Sequence, residues 1–301
     1  MYCSRSRSTK NKDTCFNTQE LTSITQAYMD AYGGPPIIPQ ELSFEWDNLK
    51  SAMKNFNESC TTDCDIIDTS GLQNLLWERL RQVMGEKCGD NETCWIDDKV
   101  LMKQLKTNDR DLYKQINAEV FLPKGTSTPK GWLSTTEIVN VMHQYEQPGT
   151  FKFLDCVPSD HYDLGNSVDI AGIIENKYSA IVFNLDETHE KGSHWVTLFF
   201  YNASRSKSKC NLQMEYFDST GSPPNKNIMR TINALRHDVF LRSKLWINEI
   251  KHQRGNTECG VFCLFYITKR ISGMGKKEFN DDSIKDSMMY EYRKFLFRPF
   301  S

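Results

Sequence analysis

Four polar residues stand where this sequence could build chemistry: His194, Asp218, Gln253 and Cys259. Cys259 sits at the junction between a polar loop, His252 to Glu258, and a nearly all-apolar segment over 260–271. A segment of helical length that is apolar almost all round predicts a buried helix, with Cys259 in its first turn. Unpaired backbone N–H groups and the positive end of the helix dipole are found at such a start. That environment favours thiolate over thiol, and the thiolate is the nucleophilic form. A buried free cysteine is also an ordinary core residue, so position alone assigns no nucleophile.

His194 and Asp218 fall at the ends of two strand-like runs, His194 to Tyr201 and Leu212 to Asp218, joined by a polar loop of Ser, Lys and Arg. That pattern predicts an antiparallel hairpin. Pairing Tyr201 near Asn211 would set His194 opposite Asp218. Directly opposed residues have Cβ atoms about 4.5–5.5 Å apart, close enough for a carboxylate to hold an imidazole by its N–H. A one-residue slip would put the two on opposite faces. A base and its orienter need such a pair, although Asp218 before Ser219-Thr220-Gly221 could simply cap a turn. Gln253 lies six residues before Cys259. Its amide could donate to the oxygen of a tetrahedral intermediate beside the Cys259 N–H, a type of contact worth about 2.7–4 kcal/mol in the transition state.

The surrounding elements must bring these residues together. The N-terminal 1–18 reads as disordered, being polar with little to bury. Helices are expected over 19–32 (stopped by Gly33-Gly34-Pro35-Pro36), 71–84, 97–107 and, more weakly, 109–120. A turn-rich break at Pro123 to Gly131 divides a mostly helical N-terminal arm, 1–125, from a second domain, 126–301. In the second domain Ser134 and Glu137 have capping-box spacing ahead of a helix carrying Ile138, Val139 and Met142. The pattern turns to strands from about 178: Tyr178 to Leu185, the two hairpin strands, and Leu245 to Ile250. A helix with Ile228, Ile232, Leu235 and Val239 on one face lies between the last two strands, and a final amphipathic helix covers about 281–296. The class is α+β.

Composition excludes several roles. The net charge of −2 over 301 residues gives no general drive toward nucleic acid or anionic membrane. The Arg5, Arg7, Lys10, Lys12 cluster reads as a solvated tail. No apolar run reaches the roughly 18 residues of a membrane span, and no signal-peptide core is visible. The ten cysteines are therefore expected as free thiols in a reducing compartment rather than as a disulfide framework. Zinc is disfavoured because Cys60/Cys64 and Cys88/Cys94 are spaced too widely and lack neighbouring histidine.

The ordered set His194-Trp195, Asp218, Gln253 and Glu258-Cys259-Gly260-Val261-Phe262-Cys263 resembles the cysteine proteases that include the SUMO-specific proteases and the adenovirus protease. Within that group His252-Gln253-Arg254, Thr257-Glu258-Cys259-Gly260 and Glu215-Tyr216-Phe217 before Ser219 are similar to the polyprotein-processing protease of African swine fever virus, as is the ending Tyr292 to Arg298. The resemblance covers Trp132 to the C-terminus. It implies a papain-like, adenain-type core with a mixed sheet packed on a central helix. By the same resemblance Cys259 is the nucleophile, His194 the general base, Asp218 its orienter and Gln253 the oxyanion donor, while Trp132 and Trp195 are walls of a narrow substrate channel. Asp218 departs from the viral form, which has Asn, and Glu258 departs from the SUMO proteases, which have Asp.

The implied function is a viral endopeptidase cutting after Gly-Gly, in Gly-Gly-X sites of structural polyproteins, in host cytoplasm at assembly sites and in virions. The alternative is an isopeptidase acting on SUMO or other ubiquitin-like proteins. A third reading, a non-enzymatic module on the same scaffold, is disfavoured by the four intact residues. No cofactor, metal, membrane or nucleic-acid partner is expected. Gly33-Gly34 looks like a self-cleavage site, but Pro35 would follow the scissile bond, so no cut is expected there.

Overall fold

The computed structural model describes residues 3, 14–33, 70–89, 91–128, 130–203, 212–241, 243–281 and 283–298. The expectations for the basic tail, Cys60/Cys64 and the Gly34-Pro35 bond fall outside them. The chain divides into two compact units, Met1–Leu122 and Pro123–Ser301.

The first unit is helical among its described residues: α1 Thr18–Tyr32, α2 Ser70–Cys88, α3 Glu92–Asp97, α4 Lys99–Asn108, and α5 Arg110–Gln115, which continues into a π-turn, Ile116–Val120. Asn17 and Glu20 form a reciprocal capping box at the start of α1, and Gly33, at φ 58°, ends it in the left-handed conformation that glycine adopts without cost. The helix expected over 97–107 forms as α4, opened by Asp98. Its carboxylate accepts from Val100 and Leu101 N–H at 2.9 and 3.0 Å, so it starts α4 as an N-cap instead of continuing α3. Leu21, Ile24, Leu80, Trp95, Leu101 and Leu105 meet in the unit's own core.

Two expectations for this unit are overturned. The start of the chain is tied down rather than disordered where it is described: Cys15 and Phe16 are buried, and Cys3 bridges to Phe121. The thiols are not all free either. Cys3–Cys15 and Cys88–Cys94 are disulfides, with Cα atoms 5.2 and 5.5 Å apart, inside the range a disulfide spans. Cys88 closes α2, and the turn at Gly89 (φ 55°) leads back to α3, where Cys94 lies.

The second unit holds α6 Thr135–His143, β1 Phe151–Pro158, α7 Ile170–Glu175, β2 Tyr178–Asn184, β3 Trp195–Asn202, β4 Leu212–Phe217, α8 Lys226–Ala234, β5 Lys244–Ile247, α9 Cys259–Ile271 and α10 Asp286–Leu296. The strands form one sheet in the order β1-β2-β3-β4-β5. The outer pairs are parallel and the inner pairs antiparallel, which is the mixed sheet expected. Strand β1 was not anticipated. A bulge between Phe153 and Asp155 breaks the two-residue alternation by which a strand is read.

Helix α9 covers one face of the sheet. Ala180, Val182, Phe199 and Phe217 pack there against Val261, Phe262 and Tyr266. The opposite face, with Phe183, Val196, Leu198 and Met214, is covered by Ile228 and Ile232 of α8. The sheet is thus buried on both sides, and α9 is fixed to it by a polar tie as well. Arg270 makes two bonds to the Glu215 carboxylate of β4, at 2.8 and 2.9 Å, and Tyr266 Oη donates to the same carboxylate at 2.7 Å. This fixes the helix that begins at Cys259 to the strand that ends just before Asp218.

Candidate active site

The hairpin forms, but two residues away from the expected register: Tyr201 pairs with Gln213, not Asn211. A shift of two leaves every side chain on its expected face. His194 and Asp218 both lie just beyond the paired ends of their strands, where the backbone turns toward the same point. His194 is held there by its own carbonyl, which accepts from Leu185 N–H at 2.9 Å. Asp218 is held by a turn: Thr220 N–H and Oγ1 donate to its Oδ1 at 2.8 and 2.9 Å, and Gly221 N–H donates to its carbonyl. Gly221 has φ 73°, and a Cβ there would lie 2.8 Å from the Glu249 carbonyl, so the turn presses against the strand exit in a way only glycine allows. The turn bonds and the contact with the His194 ring, weighed as alternatives in the sequence, share one oxygen of Asp218.

His194 Nε2 lies 2.7 Å from Asp218 Oδ1. Cys259 is close enough for its side chain to act on the ionisation of the His194 ring. Burial pushes the imidazole toward its neutral form, but the bonds and charges of Asp218 and Cys259 outweigh it and raise its pKa from 6.5 to about 9. The shift favours the imidazolium over the neutral ring. Cys259 is the first residue of α9 and only 2% exposed, while the His194 side chain is 15% exposed. Burial drives the thiols of Cys156 and Cys263 upward, which sets them apart as inert.

Gln253 is buried beside the same turn. Its Oε1 accepts from Ser219 Oγ at 2.7 Å, and its backbone N–H donates to the Ser219 carbonyl at 2.8 Å. Nε2 donates one hydrogen to the Gly255 carbonyl at 3.0 Å. An amide has two such hydrogens, and the second has no protein partner among the described residues. With the oxygen fixed by Ser219, the amide presents a donor, as an oxyanion site requires.

Trp132, Trp195 and His194 are among the residues that line one cleft of about 380 Å³. Trp195 is 8% exposed and its Nε1 donates to the Leu133 carbonyl at 2.8 Å, whereas Trp132 is 49% exposed. Leu133 also packs on Gly260, where a Cβ would come within 3.1 Å of the leucine side chain. The capping box at α6 forms, with Glu137 accepting from Ser134 N–H, and sets the helix that follows Trp132.

Several supporting residues were not singled out from the sequence. Ser219, Thr220 and Asn248 hold the Asp218 turn, Asn248 Nδ2 reaching the Asp218 carbonyl at 2.6 Å. Arg293 pairs with Glu258 at 3.0 Å. Only the Asp-Ser-Thr-Gly run carried a local signal, as a turn. Among the described residues no group of three or more His, Cys, Asp or Glu could hold a metal ion, and no helix is long and apolar enough to cross a membrane.

No family model matches the sequence. A thiol protease of Acanthamoeba polyphaga mimivirus is 26% identical over 96% of this chain and 89% of its own length. The cysteine protease of African swine fever virus is 27% identical over 69% of this chain and 83% of its own, and some isolates carry it under the name SUMO-1 cysteine protease. The crystal structure of the African swine fever virus protease superposes with a TM-score of 0.59 at 20% identity, over 99% of this chain and 95% of that one, so the two share a fold. The chain is a cysteine protease, similar in sequence to the enzymes of these two viruses and built on the fold of the second.

Proposed function

We propose that the protein is an endopeptidase that cuts after a pair of glycines, Gly-Gly-X, in viral polyproteins during particle assembly. The observation that carries this reading is that Trp132, Trp195 and His194 line one cleft. A slot walled by two indoles admits a backbone without side chains and excludes larger residues by collision, so selectivity for glycine would be steric.

In this reading the Cys259 thiolate, paired with the His194 imidazolium, attacks the carbonyl carbon of the second glycine. Gln253 Nε2 and the Cys259 N–H hold the oxygen as it becomes negative. The His194 proton passes to the leaving amine as the C–N bond breaks, leaving a thioester. Water, deprotonated by His194, then releases the acyl group. Asp218 keeps the ring oriented throughout.

The test is cleavage of short peptides containing Gly-Gly-Ala, expected with the wild type and absent with Cys259→Ala. The relatives named as SUMO-1 cysteine proteases favour a second reading, removal of a ubiquitin-like protein from a conjugate. Cleavage of folded SUMO conjugates with short peptides left intact would replace the first reading with the second.

A further inference from the structure

We propose that Arg293, on α10, is a positioning residue that sets the width of the substrate slot by tying the Trp132 wall to the nucleophile. The inference rests on the reading of the cleft as a glycine slot. The guanidinium is buried, with 8% of the side chain exposed. Its Nε and Nη2 donate to Glu258 Oε2 at 3.3 and 3.0 Å. Nη2 also donates to the Gly131 carbonyl at 2.9 Å, and Nη1 to Thr126 Oγ1 at 3.1 Å.

Glu258 immediately precedes Cys259, and Gly131 immediately precedes Trp132. One rigid planar group therefore links the Gly131 carbonyl, beside Trp132, to the side chain of the residue beside Cys259. Trp195 is bonded to the Leu133 carbonyl, next to Trp132, so the segment that Arg293 holds at Gly131 carries one wall and contacts the other. Two further contacts make α10 the frame for this tie. Lys130 lies over the ring of Tyr290 at 4.6 Å, and Asp286 Oδ2 accepts from Arg254 and Gly255 N–H at 3.0 Å each, next to Gln253. Lysine could keep the charge opposite Glu258 but lacks the fork that reaches all three partners at once.

The experiment compares wild type, Arg293→Lys and Thr126→Val, the last removing the bond from Nη1 together with the Thr126 Oγ1 bond to the Thr128 carbonyl. For each, kcat and KM are measured on a Gly-Gly-Ala peptide and on its Gly-Ala-Ala counterpart. Cys259 is also alkylated with iodoacetamide and with its α-methyl homologue, which reads slot width with no peptide present. For Arg293→Lys the preference for Gly-Gly over Gly-Ala should fall about tenfold, the scale of one methyl group in a pocket. The alkylation preference should fall in parallel, with the iodoacetamide rate itself held within about twofold. Thr126→Val should move both ratios the same way by less.

Unchanged ratios in both variants would overturn the proposal, even if total activity or the unfolding midpoint dropped, because they would leave Arg293 a merely structural role. If Arg293→Lys does not fold, Thr126→Val decides alone. A wild type that cuts neither peptide would refute the glycine reading, while the alkylation ratios would still decide the role of Arg293.

Discussion

Replacing Asp218 with Asn tests the charge relation at the centre of the site. Between 6.5 and about 9 the imidazolium of His194 is favoured by about 3 kcal/mol, and Asp218 contributes through both a hydrogen bond and its charge. Asparagine can keep the hydrogen bond, because Oδ1 is already fixed by Thr220. Its Nδ2 would occupy the place of Oδ2, the oxygen with no protein partner. What disappears is the charge. Taking that as roughly a third to a half of the gain, the His194 ionisation should move down by about one pH unit. The alkaline limb of kcat/KM, near pH 9 in the wild type, should then fall near pH 8, with about a fivefold loss at pH 9 and almost none at pH 7. Steady-state rates from pH 5 to 10, with an NMR titration of the His194 ring, measure it directly. An alkaline limb that does not move, or a wild-type limb already near 6.5, would refute the ion-pair assignment.

Other expectations follow from neighbouring contacts. Because its folded pKa is raised, His194 contributes stability that is whole below about pH 6.5 and is lost as pH rises through about 9; urea midpoints of Cys259→Ala with and without His194→Phe should converge over that window. Gly260→Ala forces Leu133 to yield at a contact of 3.1 Å and should cost about 1–3 kcal/mol in chemical denaturation, with Leu133→Ala in the double variant recovering part of it. Glu215→Gln leaves Arg270 buried without its charge partner and should cost about 3–5 kcal/mol, whereas replacing both with apolar residues should cost much less. Iodoacetamide at neutral pH should label Cys259 well before Cys156 or Cys263, whose thiols burial holds protonated; equal labelling read by peptide mass spectrometry would contradict the site. Peptide mapping without reductant should recover Cys3 joined to Cys15 and Cys88 to Cys94.

The sequence made the local parts of this molecule legible and the long-range parts much less so. The helix from Cys259 could be read because its apolar character is continuous, and the Ser134 capping box because its partners are three residues apart. The hairpin could be foreseen from two apolar runs and a polar loop, but its register could not. Register is set by the packing of Phe199 and Phe217 under α9, which no spacing within the hairpin encodes. Strand β1 was hidden by its bulge, where one residue overrides a periodic pattern. The disulfides were misjudged because cysteine spacing was weighed without knowing that Cys3 is drawn back to the start of α1. Arg293 escaped notice for a similar reason: its partners Thr126, Gly131 and Glu258 lie up to 167 residues away, and an arginine on an amphipathic helix ordinarily faces water.

The scant exposure of the Cys259 sulfur has a practical side. A reagent able to reach it must arrive end-on, carrying its electrophile on a slender, unbranched stem. Bulk placed beyond the indoles would be tolerated, while bulk next to the warhead would not. Exposed thiols in other proteins have no corridor and admit either shape, so a branched reagent that reacts there but leaves Cys259 intact would register the corridor directly.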